Sequence, residues 1–211
     1  MAFIIGADFG QSYEYTAFAV LEETPEYHFQ VRHLERHRQK SYPALIERLK
    51  EIVGRLPEPV YLVVDVTGVG RPVLESIREA RIKSSSIYAI TITGGDSVIQ
   101  ESLEYKVPKR DLVSTVALFL QHETLKIAKG LRDAPTLERE LRNFRAKVSI
   151  SAAPDTCEAW RDGDHDDLVL AVAIACWVGQ KACQSARAWQ AWLDFMRSGG
   201  IGREPRRGAY G

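Results

Sequence analysis

Phe3-Ile4-Ile5-Gly6-Ala7-Asp8 and Val60-Tyr61-Leu62-Val63-Val64-Asp65 are the stretches that decide the fold. Each is a short apolar run closed by an aspartate, which predicts a strand ending in a carboxylate. The second is apolar without alternation, as expected of a strand covered on both faces. A third acidic group, Asp164, Asp166 and Asp167, stands directly before Leu168-Val169-Leu170-Ala171-Val172-Ala173-Ile174-Ala175. That run reads as a buried helix. Its carboxylates would join those of the two strand ends if the fold brought the three places together.

Working outward, Thr16–Leu21 predicts a second strand, broken by Pro25, and Tyr27–Leu34 a third with one solvated face. Short turns between the first three strands predict an antiparallel meander. The period then changes. Tyr42–Val53 sets Leu45, Ile46, Leu49, Ile52 and Val53 on one helical face. Gly68-Val69-Gly70-Arg71-Pro72 turns into a helix ending near Ala80, and Ile87–Ile92 reads as a fifth strand. A polar stretch to Val107 precedes a helix from Lys109 to about Gln121. Pro135 opens another, residues 148–163 read as irregular, and the apolar helix starts near Asp166.

The expected architecture is α/β: a mixed sheet with a three-strand antiparallel meander plus parallel strands, flanked by helices. The fourth strand would lie parallel to the first, which sets Asp8 and Asp65 at one sheet edge about 4.8 Å apart. Residues 1–197 are expected to form one domain, with 198–211 a flexible basic tail carrying Arg203, Arg206 and Arg207.

Composition narrows the class. Of 211 residues, 45% are hydrophobic and 27% charged, ordinary for a globular protein. The 28 basic and 28 acidic residues balance, so any nucleic-acid contact must come from local patches. Cys157, Cys176 and Cys183 are odd in number and lack Cys-x-x-Cys spacing, which predicts packing residues in a reducing compartment. Neither a signal peptide nor a membrane span is legible, and the expected location is the cytoplasm.

Carboxylates gathered in this way suit two Mg²⁺ or Mn²⁺ ions about 3.5–4 Å apart, an arrangement that hydrolyses phosphodiester bonds. Asp8, on the central strand, is expected to bridge the ions, with Asp65 flanking one and Asp167 or Asp166 the other. Asp164 and Asp167 share a helical face if the helix has begun by residue 164. Asp164 and His165 are auxiliary candidates, as a cap and as a ligand, proton carrier or phosphate contact. For DNA, the basic candidates are Arg36, Arg38 and Lys40 in the segment 32–40, taken to follow an exposed strand, and Lys109 with Arg110. Thr67-Gly68-Val69-Gly70 is either a tight turn or a phosphate cradle. No Gly-x-x-x-x-Gly-Lys-Ser/Thr loop occurs anywhere in the chain.

Gly6-Ala7-Asp8-Phe9-Gly10, Val63–Gly70, Val107–Leu112 and Asp164-His165-Asp166-Asp167-Leu168-Val169 together resemble the nuclease domain of bacteriophage large terminase subunits. The resemblance spans roughly residues 3–183. It implies a ribonuclease H-like fold and Mg²⁺- or Mn²⁺-dependent endonucleolytic cutting of double-stranded DNA during viral packaging. Asp8, Asp65 and Asp167 would be the catalytic carboxylates, with Asp166 the neighbouring fourth. The implied partners are DNA, a separate packaging ATPase and a portal, in the cytoplasm of the host cell. The ATPase that normally precedes such a nuclease is not present in these 211 residues.

Three other readings share some of these features. A Holliday-junction-resolvase-like nuclease uses similar acidic positions. A non-catalytic DNA-binding or assembly module would be expected to lack a core carboxylate. An actin-like ATPase fragment is suggested by Asp8-Phe9-Gly10-Gln11 with Thr16, but such proteins need two related domains.

Overall fold

Among the described residues, eight strands form one mixed sheet in the order β6-β7-β5-β4-β1-β2-β3-β8. The computed structural model describes residues 1–11, 14–26, 28–150 and 166–197. β1 (Phe3–Asp8) and β4 (Val60–Asp65) are the two central strands and run parallel. Both are apolar because both faces of the sheet are covered. β2 (Tyr15–Glu23) pairs antiparallel with β1, and β3 (Phe29–Arg38) antiparallel with β2, giving the expected meander. β5 (Ser86–Thr93) extends the sheet parallel to β4.

The two-residue alternation of β1 separates its faces. Ile5, Ala7 and Phe9 join Phe18, Val20, Leu62 and Val64 in a core covered by α1 (Tyr42–Val53) and α2 (Gly70–Glu79). The helical face foreseen for α1 is the buried one: Leu45, Ile46, Leu49, Ile52 and Val53. On the opposite face, Ile4, Gly6 and Asp8 look toward α5 (Asp167–Arg197). Gly6 lies directly against the Ala171 carbonyl, where any Cβ would collide. Small residues at Gly6, Ala171 and Ala175 thus let the helix backbone approach the sheet. Residues Leu168–Val178 of α5 are buried apart from Leu170, which explains their nearly unbroken apolarity.

The sequence reading missed three strands. The stretch taken as polar up to Val107 contains the antiparallel pair β6 (Ile99–Glu101) and β7 (Glu104–Pro108), with β7 parallel to β5. β6 is an exposed edge strand of three residues, too short for an apolar pattern. β8 (Leu125–Ile127) follows α3 (Lys109–Gln121) and pairs parallel with β3. A further correction concerns β3, which runs to Arg38 rather than ending near Leu34. Most of the basic segment 32–40 is therefore inside a strand, not beyond one.

α4 spans Ala134–Ile150, so residues 148–150, expected to be irregular, are helical. The rest of that irregular stretch, Tyr27, Asp164, His165 and the expected tail 198–211 lie outside the described residues. The chain divides into two compact units, Met1–Gly179 and Gln180–Gly211, with the boundary inside α5. No helix among the described residues is long and apolar enough to cross a membrane.

Candidate active site

Strand pairing aligns four residues in one row across the sheet. Asp65 of β4 is opposite Asp8 of β1, Asp8 is opposite Ala17 of β2, and Ala17 is opposite Arg36 of β3. Residues directly paired across strands point to the same face. All four therefore stand on the face that carries α5, at the C-terminal ends of the parallel strands β1 and β4. Ala17, between Asp8 and Arg36 in the row, contributes only a methyl group.

α5 supplies the third carboxylate. It begins at Asp167, and Asp166 sits at its N-cap, with its backbone carbonyl accepting from the Leu170 N–H at 2.9 Å. With the helix beginning at Asp167, the choice between Asp166 and Asp167 is open from helix geometry alone, and Asp164 lies outside the described residues. Asp166 and Asp167 leave the helix start in different directions. Asp167 accepts a hydrogen bond from Arg36 Nη2 at 2.6 Å, and Asp166 one from Lys109 Nζ at 2.9 Å.

The electrostatics register this convergence. Burial first, then the charges of Asp65, Asp167 and Asp166, hold the Asp8 carboxyl well above the usual carboxylate range. Asp65, only 6% exposed, is also raised, chiefly by burial. Hydrogen bonds from Thr67 and the Lys109 ammonium oppose that rise. The Thr67 backbone N–H donates to Asp65 Oδ1 at 2.8 Å and the Thr67 hydroxyl donates to the same oxygen. That hydroxyl in turn accepts from the Ile92 N–H at 2.7 Å. The Asp-x-Thr turn thus fixes the Asp65 carboxylate. Gly70, at φ +68°, leads the Thr67–Gly70 loop into α2.

Among the described residues, no three His, Cys, Asp or Glu side chains are already drawn close enough to hold a metal ion. Arg36 and Lys109 occupy Asp167 and Asp166 instead. The donors are nevertheless all carboxylate oxygens, the hard ligands that Mg²⁺ and Mn²⁺ prefer. The crowding at Asp8 is of the kind a divalent cation relieves. The residues present fit such an ion.

The basic residues separate into two groups. Arg36 and Lys109, expected to contact DNA, are tied to the carboxylates. Arg36 is largely buried, its guanidinium 3.9 Å from the Tyr15 ring centroid. Arg110 pairs with Asp96 at 2.6 Å and lies near Asp111. Arg38 and Lys40 are exposed where β3 gives way to α1. Lys40 lines a cleft of about 200 Å³ with Gly10, Gln11, His37, Ser41 and Tyr42. The roles of two site residues escaped the sequence reading, which took Thr67 only as part of a turn or phosphate loop. Thr67 had a signal, standing two residues after Asp65 in a turn. Glu140 had none, since it looks like any charge in Leu137-Glu138-Arg139-Glu140-Leu141.

Residues 5–176 match the Terminase RNaseH-like domain family. The chain belongs to that family. It is 28% identical over 174 residues to the terminase large subunit of Thermus phage G20c, an alignment covering 82% of this chain and 31% of that protein. The terminase large subunit of Thermus virus P23-45 gives the same identity and coverage. This terminase RNaseH-like domain thus spans about a third of the length of those curated relatives.

Its fold is similar to that of the nuclease domain of the large terminase subunit gp2 of bacterial virus Sf6. The TM-score is 0.56 at 11% identity, covering 83% of this chain and 88% of that one. The HK97 bacteriophage large terminase gives 0.51 at 10% identity, covering 83% and 39%. At such identities the likeness concerns the fold alone, which is the ribonuclease H-like mixed sheet implied by the motifs.

Proposed function

We propose that this domain is a metal-dependent DNA endonuclease acting in viral DNA packaging. The observation that carries the reading is the Asp65–Asp8 pair at the central strand ends, faced by Asp166 and Asp167 at the start of α5. Membership of the terminase RNaseH-like domain family supports it. Asp8, Asp65 and Asp167, with Asp166 beside them, would hold two Mg²⁺ or Mn²⁺ ions. Bound there, the ions supply an activated water and neutralise the leaving oxygen of a phosphodiester.

The chain's own contribution is placement. β1 and β4 fix two acids side by side, Thr67 orients Asp65, and the close fit of Gly6 to α5 brings Asp167 in from above the sheet. Double-stranded DNA is the proposed substrate, with the exposed Arg38 and Lys40 contacting its backbone. Arg36, Lys109 and Arg110 are proposed to approach the strand only if their carboxylate partners release them. A packaging ATPase and a portal are the proposed partners, in the host cytoplasm.

The test is nicking and linearisation of supercoiled plasmid with Mg²⁺, Mn²⁺, Ca²⁺ or EDTA, beside Asp8→Ala, Asp65→Ala and Asp167→Ala. Cleavage with Mn²⁺ or Mg²⁺ that each substitution abolishes is the expected result. A folded chain inert with every metal would overturn the reading.

A further inference from the structure

Glu140 has no role in the chemistry proposed above, and Arg36 only that of a DNA contact once released, yet Glu140 is buried and Arg36 largely buried at its margin. Glu140 is only 4% exposed and comes from α4. Its Oε2 accepts the Val169 N–H at 3.1 Å, capping the first turn of α5. Its Oε1 is buried and, among the described residues, has no hydrogen-bond partner. The cation beside that oxygen is Arg36, with Nη1 3.5 Å away and Nη2 2.6 Å from Asp167 Oδ2. Arg36 Nε is likewise buried with no hydrogen-bond partner among the described residues. One guanidinium therefore stands between two acids, hydrogen-bonded to Asp167 through Nη2 and short of hydrogen bonding to Glu140.

This is an unstable arrangement for a metal site. A divalent ion on Asp167 and a guanidinium on the same carboxylate repel each other strongly in a partly buried setting. Arg36 has a nearby destination in the orphaned Glu140 oxygen. The Tyr15 ring supports its flat face meanwhile.

We propose that Arg36 is a resident counter-ion for Asp167 and transfers to Glu140 when the carboxylates take up a divalent cation. Glu140 is then a positioning residue. Through Arg36 it sets how readily the site loads, while its other oxygen keeps α5 capped. The inference rests on the metal reading above.

The test is calorimetric titration of Mn²⁺ into the full chain without DNA, for wild type, Arg36→Gln, Glu140→Gln and the double variant. Glutamine at 140 keeps an oxygen for the Val169 N–H but gives up the negative charge. Arg36→Gln is expected to tighten Mn²⁺ binding, and Glu140→Gln to weaken it, each by roughly 3–10-fold, as for charged groups in contact. In the Arg36→Gln background, Glu140→Gln is expected to change nothing further.

Weaker binding by Arg36→Gln would overturn the proposal, since Arg36 would then be propping Asp167 for the metal. So would an effect of Glu140→Gln that is the same with and without Arg36. Nitrogen-15 spectra of the arginine guanidinium groups test the transfer in wild type itself, whether or not a variant folds. Mg²⁺ should move the Arg36 signal, and an unmoved signal in a metal-saturated protein overturns the transfer. A folded wild type that binds no Mn²⁺ would instead overturn the metal reading, and the transfer with it.

Discussion

Asp8→Asn should make the metal-free protein more stable while destroying its response to metal. Asp8 and Asp65 are direct neighbours on adjacent parallel strands, so their backbones are about 4.8 Å apart. Two unit charges at that spacing, with an effective dielectric near 20, repel by about 3 kcal/mol. Thr67 and Lys109 offset part of this at Asp65, and the raised Asp8 carboxyl relieves part by holding a proton. Neutralising Asp8 should therefore give a net gain of about 1–2 kcal/mol, which for a chain of this size is roughly 2–8 °C in Tm.

The sign follows from linkage. An acid raised by folding binds its proton more tightly in the native state, so its charge costs stability as pH climbs past the unfolded value. Thermal melts at neutral pH in EDTA, then in Mn²⁺, measure both effects. Wild type at a hundredfold excess of Mn²⁺ over its Kd should gain about 2.7 kcal/mol, and Asp8→Asn should not. A drop in Tm for Asp8→Asn in EDTA would refute the reasoning, because Asp8 would then be held by favourable partners rather than crowded by like charge.

Thr67→Val should cost about 1–3 kcal/mol, since it strands the Ile92 N–H and frees Asp65, whereas Thr67→Ser should stay near wild type; urea unfolding checks both. Gly6→Ala should destabilise by about 1–3 kcal/mol through overpacking against Ala171, and should slow plasmid cleavage by moving Asp167 away from Asp8. Glu140, raised by burial to about 7, should contribute stability that is complete below its ordinary value of 4.5 and lost as pH rises through 7. Glu140→Gln should flatten the pH–stability curve across that window by up to about 3 kcal/mol, read by denaturation at a series of pH values.

Asp8 and Asp65 were legible because each closes an apolar run, and a strand covered on both faces is apolar at every position, whereas Asp166 and Asp167 stand at the head of one. The parallel placement of β4 beside β1 followed from the same pattern. The short strands were not legible. Ile99–Glu101 and Leu125–Ile127 have three residues each and take their identity from a neighbour's free edge. The bonds that hold Asp166 and Asp167 were hidden for a different reason. Arg36 and Lys109 look like DNA contacts in a linear sequence, and only register across β1, β2 and β3 turns Arg36 toward Asp8. Glu140 acquires meaning solely through the docking of α5, a contact between segments far apart in the chain.

The pairing of Asp8 with Asp65 carries a temporal consequence. Side chains alternate along a strand, so a slip of one residue between β1 and β4 would send one acid to the α1 side of the sheet. Asp167, moreover, follows every described strand in the chain. On the proposed mechanism, a nascent chain emerging N-terminus first is harmless to the nucleic acid around it, and so is a misregistered one. On that mechanism, hydrolytic competence comes after the described strands and certifies that the sheet beneath has been assembled correctly.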